Sequence, residues 1–155
     1  MKLLNSKHLE IKQVVYTEEL SSLQTVRQQV FQIEQGIDPD LEFDEYDPLA
    51  IHWLAYWQEN PVGTVRIREY APLTAKIERL AVIKALRGQG IATELMEVAL
   101  KYARQHNYEK IIINAQVYIE PLYRKLGFLG VGEPFDEAGI PHRKMIKYLD
   151  KWSNQ

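Results

Sequence analysis

"IERLAVIKALRGQGIATELMEVAL", residues 77–100, decides the fold. Its opening residues alternate in the way a strand does, within a longer strand expected over 75–83. After Gly90 the residues Ala92, Leu95, Met96 and Ala99 return at helical spacing, and Ala103 continues the same face. Between the two elements stands Arg87-Gly88-Gln89-Gly90. A strand passing through a glycine turn into a long helix is one half of an α/β unit.

The turn has chemistry of its own. The first amides of a helix have no intrahelical acceptor, point the same way and carry partial positive charge. Gly88 and Gly90 allow a tight turn and close approach, and Ala92 keeps the first helical turn slim. The amides from about Gln89 through Ile91 to Thr93 are therefore suited to a diphosphate. Two glycines also suit a plain strand-to-helix turn. A dinucleotide fingerprint would need a third glycine where Thr93 stands, and a nucleotide-hydrolase loop would need a Lys-Ser/Thr pair that is absent.

Outward from this segment, strands are expected at 9–16, 50–57 and from 62 in "VGTVRIREY", the last two joined by a turn at Gln58–Pro61. A helix from about Leu20 to Ile33 is read from Leu23, Val26, Val30 and Ile33. "YEKIIINAQV" is apolar enough for a central strand. "IEPLYRKLGF" reads as a short helix with Pro121 in its first turn and Gly127 at its end. "FLGVG" and "HRKMIKYL" close the pattern as strands. No repeat or long linker divides the chain, so 1–155 is expected to form one mixed α/β domain.

Composition sets the outer limits. Of the 155 residues 46% are hydrophobic and 26% charged, as in an ordinary globular protein, and the net charge of −2 gives no general pull toward nucleic acid or anionic membrane. There is no cysteine, which removes disulfides, thiolate zinc sites and thiol nucleophiles. The N-terminal stretch lacks the apolar core of a secretory signal, and no apolar run reaches transmembrane length. A cytoplasmic protein is expected. The four histidines show no close pairing, so no metal is expected. Seven carboxylates and no basic residue lie between Glu34 and Asp47. Such a run is either a solvated loop or one wall of a cleft for a cationic ligand.

Arg87-x-x-Gly90-x-Ala92 resembles the acyl-CoA signature of the GNAT-type N-acetyltransferases, [Q/R]-x-x-G-x-[G/A]. "IERLAV", "LRGQGIATELM" and "LYRKLGF" follow in the order and spacing of that superfamily, and "VRQQVFQIEQG", "EFDEYD", "INAQ" and "GIPHRKM" are similar to its ElaA-like branch. The resemblance implies a single mixed, strongly twisted sheet flanked by helices and splayed between its fourth and fifth strands. It also implies acetyl-CoA as co-substrate, held by the backbone of Leu80, Ala81 and Val82, by residues 87–93 and by Asn114.

Moving an acetyl group from a thioester to an amine needs a neutral amine, a stabilised carbonyl oxygen and a protonated leaving thiolate. Period-two alternation puts Lys76, Glu78, Leu80 and Val82 on one face and Ile77, Arg79 and Ala81 on the other. Glu78 then stands beside the cofactor-facing positions as a candidate base. Since an ordinary glutamate titrates near about 4.3, burial must raise it for that role. A structural ion pair with an arginine is the competing reading. Tyr123 matches the tyrosine that the superfamily commonly places near the thioester sulfur, and a phenol of pKa about 10 can donate a proton there. Gln116, His142, Arg66 and Glu34 are candidates for holding the acceptor, with His52 a further possible cleft residue.

The expected reaction is direct attack by a primary amine, small or protein-borne, in a ternary complex. Nucleic-acid and membrane partners are not expected; a homodimer is compatible with the resemblance. A non-catalytic acyl-CoA binder or an interaction protein would share much of this pattern. The first would need neither the carboxylate nor the phenol.

Overall fold

The structure is a computed structural model and describes residues 8–150. The expected domain of 1–155 thus reaches past the described residues at both ends. Seven strands form one sheet: β1 (Leu9–Val14), β2 (Ile51–Trp57), β3 (Asn60–Ala71), β4 (Thr74–Val82), β5 (Lys110–Gln116), β6 (Leu129–Glu137) and β7 (Ile140–Tyr148). Their order across the sheet is β1-β2-β3-β4-β5-β7-β6. Among the described residues only β4 and β5 pair in parallel, joined by the crossover helix α3 (Ile91–Gln105). The other α-helices of the described residues are α1 (Leu20–Arg27), α2 (Pro39–Glu42) and α4 (Glu120–Lys125).

The two halves of the sheet hold together at one end only. β4 and β5 pair through Thr74, Ala75 and Lys76 against Lys110, Ile111 and Ile112. Beyond that point β5 continues to pair with β7 as far as Gln116 opposite His142, while β4 continues along β3. The strands from Ile77 and Ile113 onward therefore diverge, as the resemblance implied.

Helix α3 buries Ile91, Leu95, Met96, Ala99, Leu100 and Ala103 against one face of the sheet. Helix α1 covers the other face with Leu23 and Val26, which pack with Leu54 and Ala81. The first helix departs from its expected periodicity. After Arg27 the chain winds as a π-helix from Gln28 to Glu34, with the Gln35 amide bonded back to the Val30 carbonyl. The wider winding turns Phe31 into the core and leaves Ile33, expected inside, 79% exposed.

Candidate functional site

Two cavities open where β4 and β5 part. The larger, about 350 Å³, lies between Glu78 and Arg79 on one side and Asn114, Tyr123 and His142 on the other. The smaller, about 310 Å³, runs along Leu80, Ala81 and Val82 to the turn before α3. Leu80 and Ile119 line both, so the two spaces meet at the divergence of the strands.

The smaller cavity suits an anion. Gly90 is the N-cap of α3 with φ of +86°, a left-handed conformation, and nothing among the described residues lies within 4 Å of where a β-carbon would sit. Arg87, Gly88, Gly90, Ile91, Ala92 and Thr93 line the space, and no carboxylate of the described residues does. The first amides of α3 face it without intrahelical partners. Arg87 is a strut: its Nε donates to the Val82 carbonyl at 2.9 Å and its two Nη atoms hold Glu34 at 2.5 Å. Gln89 does not line either cavity, and its side-chain oxygen is buried without a partner among the described residues.

A bulge in β4 rearranges the residues expected to alternate. Thr64 faces Ala81 and Arg66 faces Glu78, so Val65 alone spans Arg79 and Leu80. Arg79 absorbs the extra residue at φ of +57°. Glu78 and Arg79 therefore project to the same side, where both meet arginine–carboxylate partners around Asp44, while Leu80 joins the core with Ile77 and Val82. The expectation that Glu78 and Leu80 share a face, with Arg79 turned away, is thus corrected. A bulge on a non-glycine residue leaves no local signal in the sequence.

Glu78 sits in a lattice of charges. Its Oε2 accepts from Arg66 Nη2 at 2.6 Å and Arg68 Nε at 3.0 Å, and its Oε1 lies 3.1 Å from Lys76 Nζ. Burial on its own would raise this carboxyl, but the Arg68 hydrogen bond and the charges of Arg66 and Lys76 prevail and hold it at about 2. The upward shift that a base at this position requires is reversed. Asp44 is likewise held at about 2: burial is outweighed by two hydrogen bonds from Arg66 and the charge of Arg79. Below them Arg27, fully buried, bonds Glu42 at 2.6 Å and Asp47 at 2.7 Å. Four of the seven carboxylates of the acidic segment pair directly with an arginine: Glu34, Glu42, Asp44 and Asp47.

 The segment is a wall of the cleft, yet those four charges are already committed.

The opposite wall is lightly bonded. Tyr123 is buried beside Phe128, and that burial pushes its phenol well above the ordinary range. His142 on β7 is buried at the cavity edge, with Nδ1 2.7 Å from the Ile140 carbonyl and Nε2 3.5 Å from Glu137. Asn114 donates to Glu137 at 3.2 Å. Gln116 and Gln35 exchange side-chain hydrogen bonds at 3.1 and 3.3 Å, a bridge from the π-helix to the end of β5.

The structure brings together Glu78, Tyr123, Asn114, Gln116 and His142 around the larger cavity. Asn114, expected at the cofactor, opens there rather than into the smaller cavity. Arg66 lines neither cavity; it is buried beneath Glu78 as an anchor. Glu34, expected at the acceptor, is tied to Arg87. His52 is buried and bonded to the Asp47 carbonyl, away from both cavities. Arg68, Lys76 and Glu137 were missed as cavity residues. The first two had a signal: Arg66 and Arg68 alternate on one strand as Lys76 and Glu78 do on the next.

Comparison with known proteins shows the family and the fold. The acetyltransferase (GNAT) domain family matches residues 22–149. YjcF of Bacillus subtilis, an uncharacterised N-acetyltransferase, is 35% identical over 131 residues, spanning 84% of this chain and 93% of YjcF. ElaA of Escherichia coli is 30% identical over 135 residues, 83% of this chain and 87% of its own. The crystal structure of ElaA superposes with a TM-score of 0.80 at 27% identity, covering 90% of this chain and 99% of that one. An acyl-CoA N-acyltransferase from Pseudomonas aeruginosa superposes at 0.79 with 28% identity, covering 90% and 99%.

Proposed function

Because the chain belongs to the GNAT acetyltransferase family, we propose that it moves an acetyl group from acetyl-CoA to a primary amine by direct attack in a ternary complex. One observation carries this reading: an amide cradle and an unpaired strand edge lead into a second, polar cavity through a junction at Leu80 and Ile119. The coenzyme supplies the activated acetyl thioester. The amides of Gly88 to Thr93 hold its diphosphate, and the free backbone edge at Leu80 to Val82 holds its amide-bearing arm.

The remaining residues act on protons and charge. The Val82 amide stabilises the carbonyl oxygen as negative charge grows on it. Tyr123, kept protonated by burial, gives its phenolic proton to the departing sulfur. Glu78 serves as an ionised anchor for Arg66, Arg68 and Lys76, which shapes one side of the acceptor cavity. The acceptor is a small amine or a protein amine whose reacting end enters the larger cavity. The pairing of Glu42, Asp44 and Asp47 with arginines removes the main reason to expect a cationic one.

Calorimetric titration with acetyl-CoA tests the cradle. Gly90→Asp adds a carboxylate that caps the same amides and repels the diphosphate, so affinity should fall at least about tenfold. Tyr123→Phe should leave that affinity unchanged and slow transfer by about 100-fold. Wild-type protein that fails to bind acetyl-CoA overturns the reading.

A further inference from the structure

Resting on the transfer reaction above, we infer that His142, backed by Glu137, is the group that takes the proton from the acceptor amine. The larger cavity is lined by four carboxylates, Glu42, Asp44, Glu78 and Glu137, and by one histidine. Three of the four carboxylates are committed elsewhere. Glu78 accepts from or pairs with Arg66, Arg68 and Lys76. Asp44 holds Arg66 and Arg79. Glu42 is 2% exposed, with one oxygen on Arg27 and the other buried out of reach of a ligand. A carboxylate bound by several cations is a poor acceptor for another proton.

His142 is arranged differently. The 2.7 Å contact between Nδ1 and the Ile140 carbonyl requires Nδ1 to carry the hydrogen, since a carbonyl only accepts. In the neutral ring the lone pair is then on Nε2, the atom on the Glu137 side. At 3.5 Å the Glu137 carboxylate pairs with the imidazolium once Nε2 has taken a proton. Around the ring stand Glu137 and Phe135 of β6, Asn114 and Gln116 of β5, and Lys144 two residues further along β7. Across the cavity stand the cations Arg68, Lys76 and Arg79, each already facing a carboxylate.

The step balances as follows. Nε2 removes one proton from the ammonium, and the freed lone pair forms the nitrogen–carbon bond. The carbon–sulfur bond breaks with its electron pair on sulfur, which takes the Tyr123 proton. The nitrogen releases its second proton, one proton returns to Tyr123, and one leaves to solvent.

The test measures thiol release from acetyl-CoA by the full chain across acid to alkaline pH, with tyramine, spermidine and glycylphenylalanine as probe amines. His142→Gln should lower kcat/KM by about 100-fold and abolish the acid limb of its pH profile, with acetyl-CoA affinity within about twofold of wild type. Glu137→Gln should lower kcat/KM by about tenfold with acetyl-CoA affinity unchanged, and it decides the question where the histidine variant does not fold. A His142→Gln or Glu137→Gln protein within about threefold of wild type overturns the proposal. Wild-type protein that binds acetyl-CoA but acetylates none of the probes overturns the transfer reading instead.

Discussion

The two walls of the sheet opening are built on opposite principles. On the β3–β4 side, Arg27, Arg66, Arg68, Arg79 and Lys76 are interlocked with Glu42, Asp44, Asp47 and Glu78. On the β5–β7 side, Tyr123, His142, Asn114 and Glu137 make few bonds apiece. A charge surrounded by opposite charges is rigid and hard to titrate. A group with one orienting bond keeps an atom free for chemistry. The first wall is built as scaffold, and the second is the one to which the proposed reaction assigns its proton transfers.

Breaking the scaffold wall should produce the largest effect. Arg27→Ala strands the buried Glu42 without a cation and leaves Asp47 with Arg66 alone, and loss of one partner of a buried pair costs about 3–5 kcal/mol. Urea unfolding checks this. A loss under about 1 kcal/mol would mean that the lattice is replaceable packing.

The contrast also explains what could be read from the sequence. The strand, glycine turn and helix start are local: they lie within a few residues of one another, so residues 77–100 disclosed them. The lattice is not local. Arg27 meets Asp47 twenty residues away and Arg66 meets Asp44 twenty-two away, and composition alone could not match them. Two backbone irregularities also escaped notice, the bulge at Arg79 and the π-helical winding before Glu34. Each breaks a period from which facing was read. The first put Glu78 on the wrong side, and the second exchanged Ile33 for Phe31 in the core.

Acid sharpens the comparison next. Glu78 falls from an ordinary 4.5 to about 2 in the folded protein. A depressed carboxyl contributes stability that is fully present above about pH 4.5 and is lost as pH falls through about 2. The contribution is about 3 kcal/mol, and Asp44 adds in the same direction. Glu78→Gln should therefore be less stable at neutral pH and show a flatter decline between those pH values. Denaturant midpoints measured across that window check it. A wild-type midpoint that stays level through it would mean that Glu78 is not ion-locked in solution.

The smallest effect is expected inside the lattice itself. Burial outweighs the Arg27 hydrogen bond at Glu42 and pushes its carboxyl up, and its Oε2 is buried with no partner among the described residues. A raised carboxyl works against folding once it ionises, which is the reverse of Glu78. Glu42→Gln keeps an oxygen for Arg27 Nε and removes the poorly placed charge, while Asp47 still neutralises the arginine. Urea unfolding should then differ from wild type by less than about 1 kcal/mol, because the gain in desolvation offsets the weaker bond. A loss as large as that of Arg27→Ala would instead make Glu42 the indispensable partner, and the contrast drawn here between Glu42 and Glu78 would fail.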